Sequence, residues 1–415
     1  MAAELFNPSP RLFPPSFEPW QGNGSRATVA VLMSGGVDSS VAALLLQQAG
    51  WRVLGITMKI PAAEACSHPS PCCGAEAAIV CHQLRVPHYF LDVEEAFNAL
   101  IIEPFRRSYR EGHTPNPCVD CNTFLKFRLV WDLVEATFGI RHLATGHYAR
   151  VRAIEGVFQL ARATDRGRDQ SYFLYGVPAG RLRHLILPLG DLTKRAARDL
   201  AREAGLPVAE RPDSMELCFA GEGDYRRALA PEATASKGTI LDTAGNAVGE
   251  HDGIAGFTLG QRRGLRVAVG KPLYVIRILP DDNAVVVGTQ EEASRREVRA
   301  EGVNVLAPER LRAGQRLFGK IRSYGEPDPC TVAEIQGDTV AVEFDVPQFA
   351  PTPGQHLVLY DGEGRVIGGG TIGAGAPVPS PSREETLVRR PRPDTGGQRH
   401  RCGNPPIDVP NGYQA

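Results

Sequence analysis

The amino-acid sequence predicts an α/β protein in which a doubly wound parallel sheet is followed by a small central domain and a C-terminal β-barrel. Up to about residue 150, short apolar runs alternate with helical patterns, as they do in parallel sheets. After about residue 220, short β-branched runs alternate with turns, and residues 295–373 are typical of a small barrel. A chain of 415 residues, 42% of them hydrophobic, is long enough for two or three such domains.

The elements of the sheet follow from these patterns in chain order. The apolar run from Ala27 to Met33 predicts a first buried strand, and a helix is expected from Ser39 to Gln48 after a glycine-rich turn. Further strands are predicted at residues 51–59, 88–93 and 142–145, and further helices at residues 76–84, 96–109 and 125–138.

The two ends of the chain predict disorder, because the first is rich in proline and the last in proline, arginine and glycine. The expected organisation is a disordered leader (1–25), a sheet domain (26–219), a central domain (220–294), a β-barrel domain (295–373) and a disordered tail (374–415).

Composition narrows the class of protein. The net charge of -1 gives no global basic excess, so any contact with RNA must come from local patches. The sequence has no apolar run of the roughly 18 residues that span a membrane and no signal-peptide pattern, so a soluble cytoplasmic protein without membrane contact is expected. Nine unevenly clustered cysteines favour metal or sulfur chemistry over a secreted disulfide scaffold.

The turn after the first strand is predicted to bind phosphate; it reads Ser34-Gly35-Gly36-Val37-Asp38-Ser39-Ser40. Backbone N–H groups in such a turn point at an anion, and the N-terminus of the next helix adds partial positive charge. Asp38 is a candidate either to hold Mg2+ or to orient the loop. The Walker pattern Gly-x4-Gly-Lys-Ser/Thr does not occur in the sequence, so another way of using ATP is expected.

This turn resembles the loop of the ATP pyrophosphatases, which cleave ATP between the α and β phosphates and adenylate a carbonyl oxygen. Further blocks follow at residues 114–122 (TPNPCVDCN), 144–150 (ATGHYAR), 169–174 (DQSYFL), 213–219 (DSMELCF), 257–265 (FTLGQRRGL), 352–355 (TPGQ) and 368–370 (GGG). In this order they resemble the bacterial tRNA-specific 2-thiouridylases, which replace oxygen by sulfur at C2 of the wobble uridine. The resemblance implies an adenine nucleotide alpha-hydrolase-like fold for residues 26–219 and makes this the catalytic domain.

The resemblance also implies roles for individual residues. Cys218 would carry the persulfide sulfur, and Cys121 would be the nucleophile that forms a transient disulfide with it. The positions that match ATP contacts are Leu32, Met33, Ser34, Gly35, Gly36, Val37, Asp38, Ser39, Met58 and Gly146. The positions that match tRNA contacts are Asn116, Pro117 and Cys118, which meet the target base, and His147, Arg168, Asp169, Gln170, Arg322 and Gln355.

The implied activity is that of a tRNA-uridine 2-sulfurtransferase that uses ATP and Mg2+. The implied partners are tRNAs of the Lys, Glu and Gln types and a sulfur-donor protein, either a persulfide carrier or a cysteine desulfurase. An anticodon loop suits this chemistry because its bases are already splayed from the stack.

Two positions depart from the family pattern. Cys118 stands where many members have an aspartate with a proposed acid–base role, and Asp120 is shifted from it by two positions. Cys118, Cys121 and Cys218 could instead be the three ligands of a [4Fe–4S] cluster whose open iron carries the attacking sulfur, so persulfide relay and cluster both stay open. In the barrel, Ser323 separates Arg322 from Tyr324, where the family usually has Arg followed directly by Tyr.

Two other functions are compatible with the phosphate loop. An ATP-dependent ligase or amidating synthetase uses the same kind of loop but has no need of Cys121 and Cys218. A nucleotide-sensing RNA-binding module with a degenerate site would release no pyrophosphate when tRNA is added, and the intact loop argues against it.

Overall fold

The computed structural model describes residues 11–12, 27–61, 74–213, 217–220, 225–229, 236–267 and 270–373. The strands of the N-terminal domain are β1 (Arg11–Leu12), β2 (Thr28–Leu32), β3 (Arg52–Lys59), β4 (His88–Asp92), β5 (His142–Ala144), β6 (Ala149–Ile154), β7 (Val157–Arg162) and β8 (Leu185–Ile186). Six of them form a sheet in the order β1-β4-β3-β2-β5-β8, and β6 and β7 form a separate hairpin. Within the sheet, only the pair of β1 and β4 is antiparallel.

Helices cover both faces of this sheet. They are α1 (Val37–Gln48), α2 (Ala75–Gln83), α3 (Glu94–Phe97), α4 (Glu103–Arg110), α5 (Pro117–Asp120), α6 (Trp131–Phe138) and α7 (Lys194–Glu203). A π-helical turn (Asn98–Ile102) joins α3 to α4, and a π-helical segment (Cys121–Val130) joins α5 to α6. Buried side chains of α1, α2 and α7 form one core and those of the π-helical segments and α6 another, which confirms the doubly wound architecture.

The strand order places a switch point between β2 and β5. From β2 the chain turns one way to β3 and β4, and β5 lies on the other side of β2. In open parallel sheets, ligands bind in the crevice outside the carboxyl ends of the strands at such a point. The glycine-rich turn leaves β2 there, and Gly146 follows β5 at the same edge.

The central and C-terminal parts are all-β apart from one short helix and a few 3₁₀ turns among the described residues. The central sheet contains β9 (Gly238–Leu241), β10 (Ala247–His251), β11 (Tyr274–Leu279) and β12 (Ala284–Gly288), and α8 (Gln290–Ala293) leads into the barrel. The barrel strands are β13 (Ser294–Val305), β14 (Arg316–Lys320), β15 (Asp328–Gln336), β16 (Thr339–Phe349), β17 (His356–Tyr360) and β18 (Val366–Ile372). They close in the order β13-β16-β15-β14-β17-β18, which confirms the predicted barrel.

Buried hydrogen bonds join the barrel to the N-terminal domain. The Tyr172 hydroxyl donates to the His356 carbonyl at 3.0 Å, and the Asn304 amide donates to the Tyr175 carbonyl at 2.6 Å. Arg162 reaches Glu326 of the barrel at 2.6 Å. The barrel is therefore fixed directly against the domain that carries the glycine-rich turn.

The structure differs from the sequence-based expectation at three places. The helix expected from residue 125 already begins at Pro117, since proline is tolerated in the first turn, and Cys118 and Cys121 consequently lie on it. Arg11 and Leu12 pair with β4, so the prediction of a disordered leader is wrong at these two residues. The rest of the leader and the predicted tail lie outside the described residues.

The β6–β7 hairpin was also not predicted. Its turn needs two consecutive residues with positive φ, and Glu155 and Gly156 have φ values of 51° and 82°. A Glu-Gly turn gives a weaker sequence signal than Asn-Gly or Asp-Gly. Within the described part of the chain, no helix is both long and apolar enough to cross a membrane.

Candidate active site

The phosphate loop is closed by its own hydroxyls. The Ser34 N–H donates to Ser39 Oγ at 3.2 Å, and the Ser39 and Ser40 hydroxyls donate to the Gly36 carbonyl at 3.2 and 2.9 Å. Gly35 has a φ of 73°, a conformation that side chains rarely adopt. Gly36 occupies the N-cap position of α1. Because glycine has no side chain, it cannot cap the first N–H groups of that helix. A phosphate group is the natural ligand for such a turn.

Gly146 packs against this loop from the end of β5. A Cβ at this position would lie 2.6 Å from both the Asp38 carbonyl carbon and the Ser39 nitrogen, so no side chain fits there. Leu32 and Met33 are 7% and 2% exposed, which leaves mainly their backbone for a ligand. Met58 lies on β3 and is half-buried against the core. The sequence-predicted nucleotide positions therefore gather around the carboxyl ends of three neighbouring strands.

Asp38 lies at the start of α1 and is bound by two groups from distant parts of the chain. Lys194 Nζ donates to both of its carboxylate oxygens at 2.8 Å, and the Tyr148 hydroxyl donates to one of them at 2.8 Å. Burial raises the pKa of Tyr148 and the Asp38 charge raises it further, so this hydroxyl stays a donor. The ammonium of Lys194 thus lies beside the phosphate loop, in a side chain only 11% exposed.

The same ammonium contacts a second carboxylate, Asp213. Lys194 Nζ lies 2.8 Å from Asp213 Oδ1, and Arg198 and Arg168 approach the same carboxylate at 2.7 and 2.9 Å. Burial opposes ionisation of Asp213, but hydrogen bonding and charge from Lys194 and the two arginines hold its pKa below the ordinary value. Asp213 is therefore an anion that three cations surround.

Cys118 and Cys121 lie near the start of the long helix. Cys121 is 9% exposed, whereas Cys118 is an exposed residue. The surrounding protein raises the pKa of both thiols by desolvation, and the Lys126 ammonium opposes this rise. Both groups are therefore thiols rather than thiolates in this state. Burial also raises the pKa of Asp120 to about 7.

Lys126 is held in place from the same helix. Its ammonium donates to the Asn122 side-chain oxygen at 2.9 Å, and the Asn122 amide donates to the Phe173 carbonyl at 3.1 Å. Lys126 also lowers the pKa of His147, after the larger effect of burial, to about 3, so this imidazole is neutral. A single cation thus influences both cysteines and the histidine.

Cys218 is exposed, and the residue after it is anchored in the core. Phe219 is 8% exposed and packs edge-on against Phe97 and Phe105, with ring centroids 5.8 and 5.3 Å away. Among the described residues, no three His, Cys, Asp or Glu side chains are grouped so that they could hold a metal ion. Cys118, Cys121 and Cys218 are therefore not gathered in this conformation.

Three family models match consecutive parts of the chain. The model described as tRNA methyl transferase HUP domain matches residues 27–222, the tRNA methyl transferase PRC-barrel domain residues 226–289, and the aminomethyltransferase beta-barrel domain residues 295–372. The tRNA-specific 2-thiouridylase MnmA of Moorella thermoacetica is 42% identical over 352 residues, which are 82% of this chain and 98% of that protein. The chain belongs to the tRNA-specific 2-thiouridylase family.

A second relative agrees with this assignment. The tRNA-specific 2-thiouridylase MnmA of Methylorubrum extorquens is 43% identical over 83% of this chain and 93% of its own length. Among solved structures, the U34-tRNA thiolase NcsA from Methanococcus maripaludis is 19% identical over 47% of this chain and 62% of that chain, with a TM-score of 0.30. That likeness is too slight to bear on the site. The family expected from the sequence is confirmed.

Several positions that match the tRNA contacts of 2-thiouridylases are bonded inside the protein. The Asp169 carboxylate, 1% exposed, binds Arg162 at 2.9 Å, and Gln170 accepts a hydrogen bond from the Tyr148 N–H at 2.9 Å. The Gln355 amide donates to the Thr114 and Pro115 carbonyls at 2.8 and 3.2 Å. These side chains shape the surface of the protein rather than project from it.

The remaining tRNA positions are less enclosed. Arg168 is 44% exposed while it binds Asp213, and Asn116 and Pro117 begin the helix that carries Cys118. The Arg322 guanidinium binds the Phe349 carbonyl within the barrel, and burial lowers its pKa. Arg168 and Arg322 are both exposed residues, and each already binds a group of the protein.

Sequence reasoning missed the cations around the phosphate loop. Lys194 and Arg198 lie on α7, and Arg211 donates to the Gly35 carbonyl at 3.0 Å. The sequence feature that could have located them is a run of basic residues after Thr193, a residue type that commonly caps the start of a helix. In the structure, the Thr193 hydroxyl accepts a hydrogen bond from the Ala196 N–H at 3.1 Å. That signal predicts a helix but does not indicate which residue faces the loop.

Proposed function

We propose that this protein catalyses the ATP-dependent 2-thiolation of the wobble uridine, position 34, of tRNA. One juxtaposition carries the proposal: Lys194 Nζ lies 2.8 Å both from Asp38 of the phosphate loop and from Asp213, which precedes Cys218 by five residues. In this proposal, nucleotide activation and sulfur chemistry share one crevice, at the switch point of the sheet.

In the first half of the proposed reaction, the phosphates of ATP lie on residues 34–40. The C2 oxygen of the uridine attacks the α-phosphorus, an O–P bond forms, and pyrophosphate leaves. Asp38 would hold Mg2+, which fits a site with one carboxylate and substrate phosphates, and the metal would neutralise charge on the phosphates. Lys194 and Arg211 supply positive charge beside the loop.

In the second half, the terminal sulfur of a Cys218 persulfide attacks C2, and AMP leaves with the original oxygen. Cys121 then attacks Cys218 Sγ. The bond between Sγ and the terminal sulfur breaks, so the terminal sulfur stays on C2 of the base and a Cys121–Cys218 disulfide forms. A thiol reductant must restore both cysteines, and a sulfur-donor protein, either a persulfide carrier or a cysteine desulfurase, must reload Cys218.

The [4Fe–4S] alternative finds less support in the arrangement of the thiols. Cys118, Cys121 and Cys218 are not grouped among the described residues, so no step is routed through a cluster. Anaerobic purification with iron and sulfide analysis decides this point. A colourless, iron-free protein that is active with a persulfide donor contradicts the cluster, whereas activity only with bound iron contradicts the persulfide relay.

The domain organisation gives each part a role in this proposal. Residues 26–219 would form the catalytic domain. The central domain (220–294) and the β-barrel domain (295–373) would bind the tRNA, and the leader (1–25) and the tail (374–415) would have neither role. Contacts to the target base would come from Asn116, Pro117 and Cys118, and phosphate contacts from Arg168 and Arg322. The substrates would be cytoplasmic tRNAs of the Lys, Glu and Gln types.

The decisive experiment is mass spectrometry of tRNA nucleosides after reaction with ATP, Mg2+ and a persulfide source. We expect 2-thiouridine at the wobble position with the native chain and none with Cys121→Ser or Cys218→Ser. Cys402→Ser, which changes a cysteine outside the sequence blocks that carry the family resemblance, is the matched control and should react normally. Absence of 2-thiouridine with the native chain under anaerobic conditions contradicts the proposal, and 2-thiouridine formation by both serine variants contradicts the roles given to Cys121 and Cys218.

A further inference from the structure

Two adjacent arginines of the central domain carry positive charge that the protein does not neutralise. Arg262 and Arg263 are both exposed and belong to the motif at residues 257–265, which we call the central-domain turn. Within the part of the chain that the structure describes, neither guanidinium forms an ion pair, whereas the nearby Arg266 pairs with Asp252 at 3.5 Å. Since the chain as a whole has a net charge of -1, this pair is a local excess of positive charge and fits an anionic partner.

Hydrogen bonds hold the central-domain turn in one conformation. The Gln261 side chain accepts from the Thr258 N–H at 3.0 Å and donates to the Arg263 carbonyl at 3.0 Å. The Gly260 N–H donates to the Val275 carbonyl at 2.8 Å, and the Val275 N–H donates to the Gln261 carbonyl at 3.0 Å, so the turn is tied to β11. Binding through its two arginines therefore requires little ordering of the backbone.

The central-domain turn lies against the barrel beside a third exposed arginine. A Cβ added at Gly260 would lie 3.0 Å both from Ala350 Cβ and from a ring carbon of Phe349. The carbonyls of these two barrel residues accept hydrogen bonds from the Arg322 guanidinium. Arg322 is exposed and matches a tRNA-contacting position of the 2-thiouridylases. The turn is therefore next to a residue that is already a candidate for binding tRNA phosphate.

The barrel segment that follows Ala350 reaches the active-site helix. The Thr114 N–H donates to the Pro353 carbonyl at 3.0 Å, and a Cβ added at Gly354 would lie 3.2 Å from the Thr114 carbonyl oxygen. Thr114 comes three residues before the helix that carries Cys118. A continuous series of contacts thus runs from the central-domain turn, through the barrel, to the residues proposed to meet the target base.

We propose that Arg262 and Arg263 bind backbone phosphates of the tRNA and hold it on the protein while the wobble uridine occupies the active site. This inference rests on the proposed thiolation activity and adds a central-domain element to the phosphate contacts of Arg168 and Arg322. A guanidinium suits this role because its planar donors match two oxygens of one phosphate. Phosphate contacts carry no base sequence, so the turn contributes to affinity and not to the choice of tRNA.

The test is the affinity for an unmodified transcript of a tRNA of the Lys type, measured at several salt concentrations. The double variant Arg262→Gln/Arg263→Gln should bind about tenfold more weakly near physiological salt. The slope of log Kd against log salt concentration should fall by about 1.5 to 2, because two phosphate contacts no longer release counterions. Arg262→Lys/Arg263→Lys keeps both charges and should keep the slope.

The thiolation assay separates binding from chemistry. In the glutamine double variant, the KM for tRNA should rise about tenfold while kcat stays within about twofold of the native value, as expected when only uniform binding is lost. The matched control is Arg195→Gln/Arg202→Gln on α7, which makes the same change in charge at two arginines that pair with Asp199. It should alter neither the affinity nor the slope.

Three outcomes would contradict these expectations in different ways. Native affinity and slope in Arg262→Gln/Arg263→Gln, with a native chain that makes 2-thiouridine, overturn this inference alone. Unchanged tRNA affinity together with a loss of activity that appears with a protein sulfur donor but not with inorganic sulfide also overturns it, and assigns the turn to that donor. A native chain that binds no tRNA contradicts the proposed function itself.

Discussion

The phosphate loop and the surroundings of the cysteines are built in opposite ways. Within the loop, the hydrogen bonds among serines and Gly36 join residues no more than five positions apart. Around the cysteines, Asn122 binds the Phe173 carbonyl 51 positions away, and Gln355 binds the Thr114 carbonyl across 241 positions. A short segment can therefore specify the hydrogen bonds within the phosphate loop, whereas the helix that carries Cys118 and Cys121 depends on contacts that only the complete fold supplies.

The largest effect is expected where a distant residue supports the local loop. Lys194→Met removes the ammonium between two carboxylates in a side chain that is 11% exposed. We expect the free energy of unfolding to fall by about 3 kcal/mol, as when one partner of a buried ion pair is lost. ATP affinity should fall as well, because Asp38 is left with Tyr148 alone among its described partners.

Urea denaturation and ATP-binding calorimetry measure these two effects. Arg195→Met, at the next position of α7 and 92% exposed, is the matched control and should change neither. If Lys194→Met binds ATP with the affinity of the native chain, the prediction is contradicted. The phosphate loop would then bind ATP without help from Lys194.

A smaller effect is expected where the loop touches the end of β5. Gly146→Ala places a methyl group 2.6 Å from the backbone of Asp38 and Ser39. Such overpacking costs about 2 kcal/mol, which corresponds to ATP binding about 30-fold weaker if the strain falls on the nucleotide-bound loop. Gly180→Ala, where nothing lies within 4 Å of the new methyl group, is the control. Equal ATP affinity in both variants would show that the loop can shift without cost.

The contact between the barrel and the N-terminal domain should be sensitive to acid. Burial lowers the pKa of His356 from 6.5 to about 3, and its Nδ1 lies 2.9 Å from the Tyr175 hydroxyl. The unfolded chain therefore takes up a proton that the native state excludes, so stability present above pH 6.5 is lost as the pH falls toward 3. The expected loss is about 1–2 kcal/mol between pH 6.5 and pH 5 from this residue.

Urea denaturation at several pH values measures this slope. His356→Gln should flatten it by the contribution of one proton, while a slope from buried His88 and His147, whose pKa values burial lowers to about 4 and about 3, persists. The exposed His82→Gln is the matched control. An unchanged slope in His356→Gln would contradict the assignment.

The contrast between local and distant contacts also explains which features could be predicted from the sequence. The seven-residue loop, the alternation of strands and helices and the individual barrel strands depend on residues that are neighbours in the chain. The roles of Lys194 and Gln355 do not, because their partners lie 156 and 241 positions away. Asp169 shows the same limit, since its motif indicated a tRNA contact whereas its carboxylate faces Arg162 in the interior.

The smallest effect is expected at Gln355, whose distant contacts are hydrogen bonds between uncharged groups. Its amide donates to the Thr114 and Pro115 carbonyls, just before the helix that carries Cys118 and Cys121. Gln355→Ala should lower the free energy of unfolding by only about 1 kcal/mol, the net contribution of such hydrogen bonds. It should reduce 2-thiouridine formation without changing ATP affinity, because the phosphate loop has none of these contacts. Gln315→Ala, at an exposed position of the same barrel, should change neither quantity. A loss of ATP affinity in Gln355→Ala would mean that the barrel acts on the nucleotide site and not only on the cysteine helix.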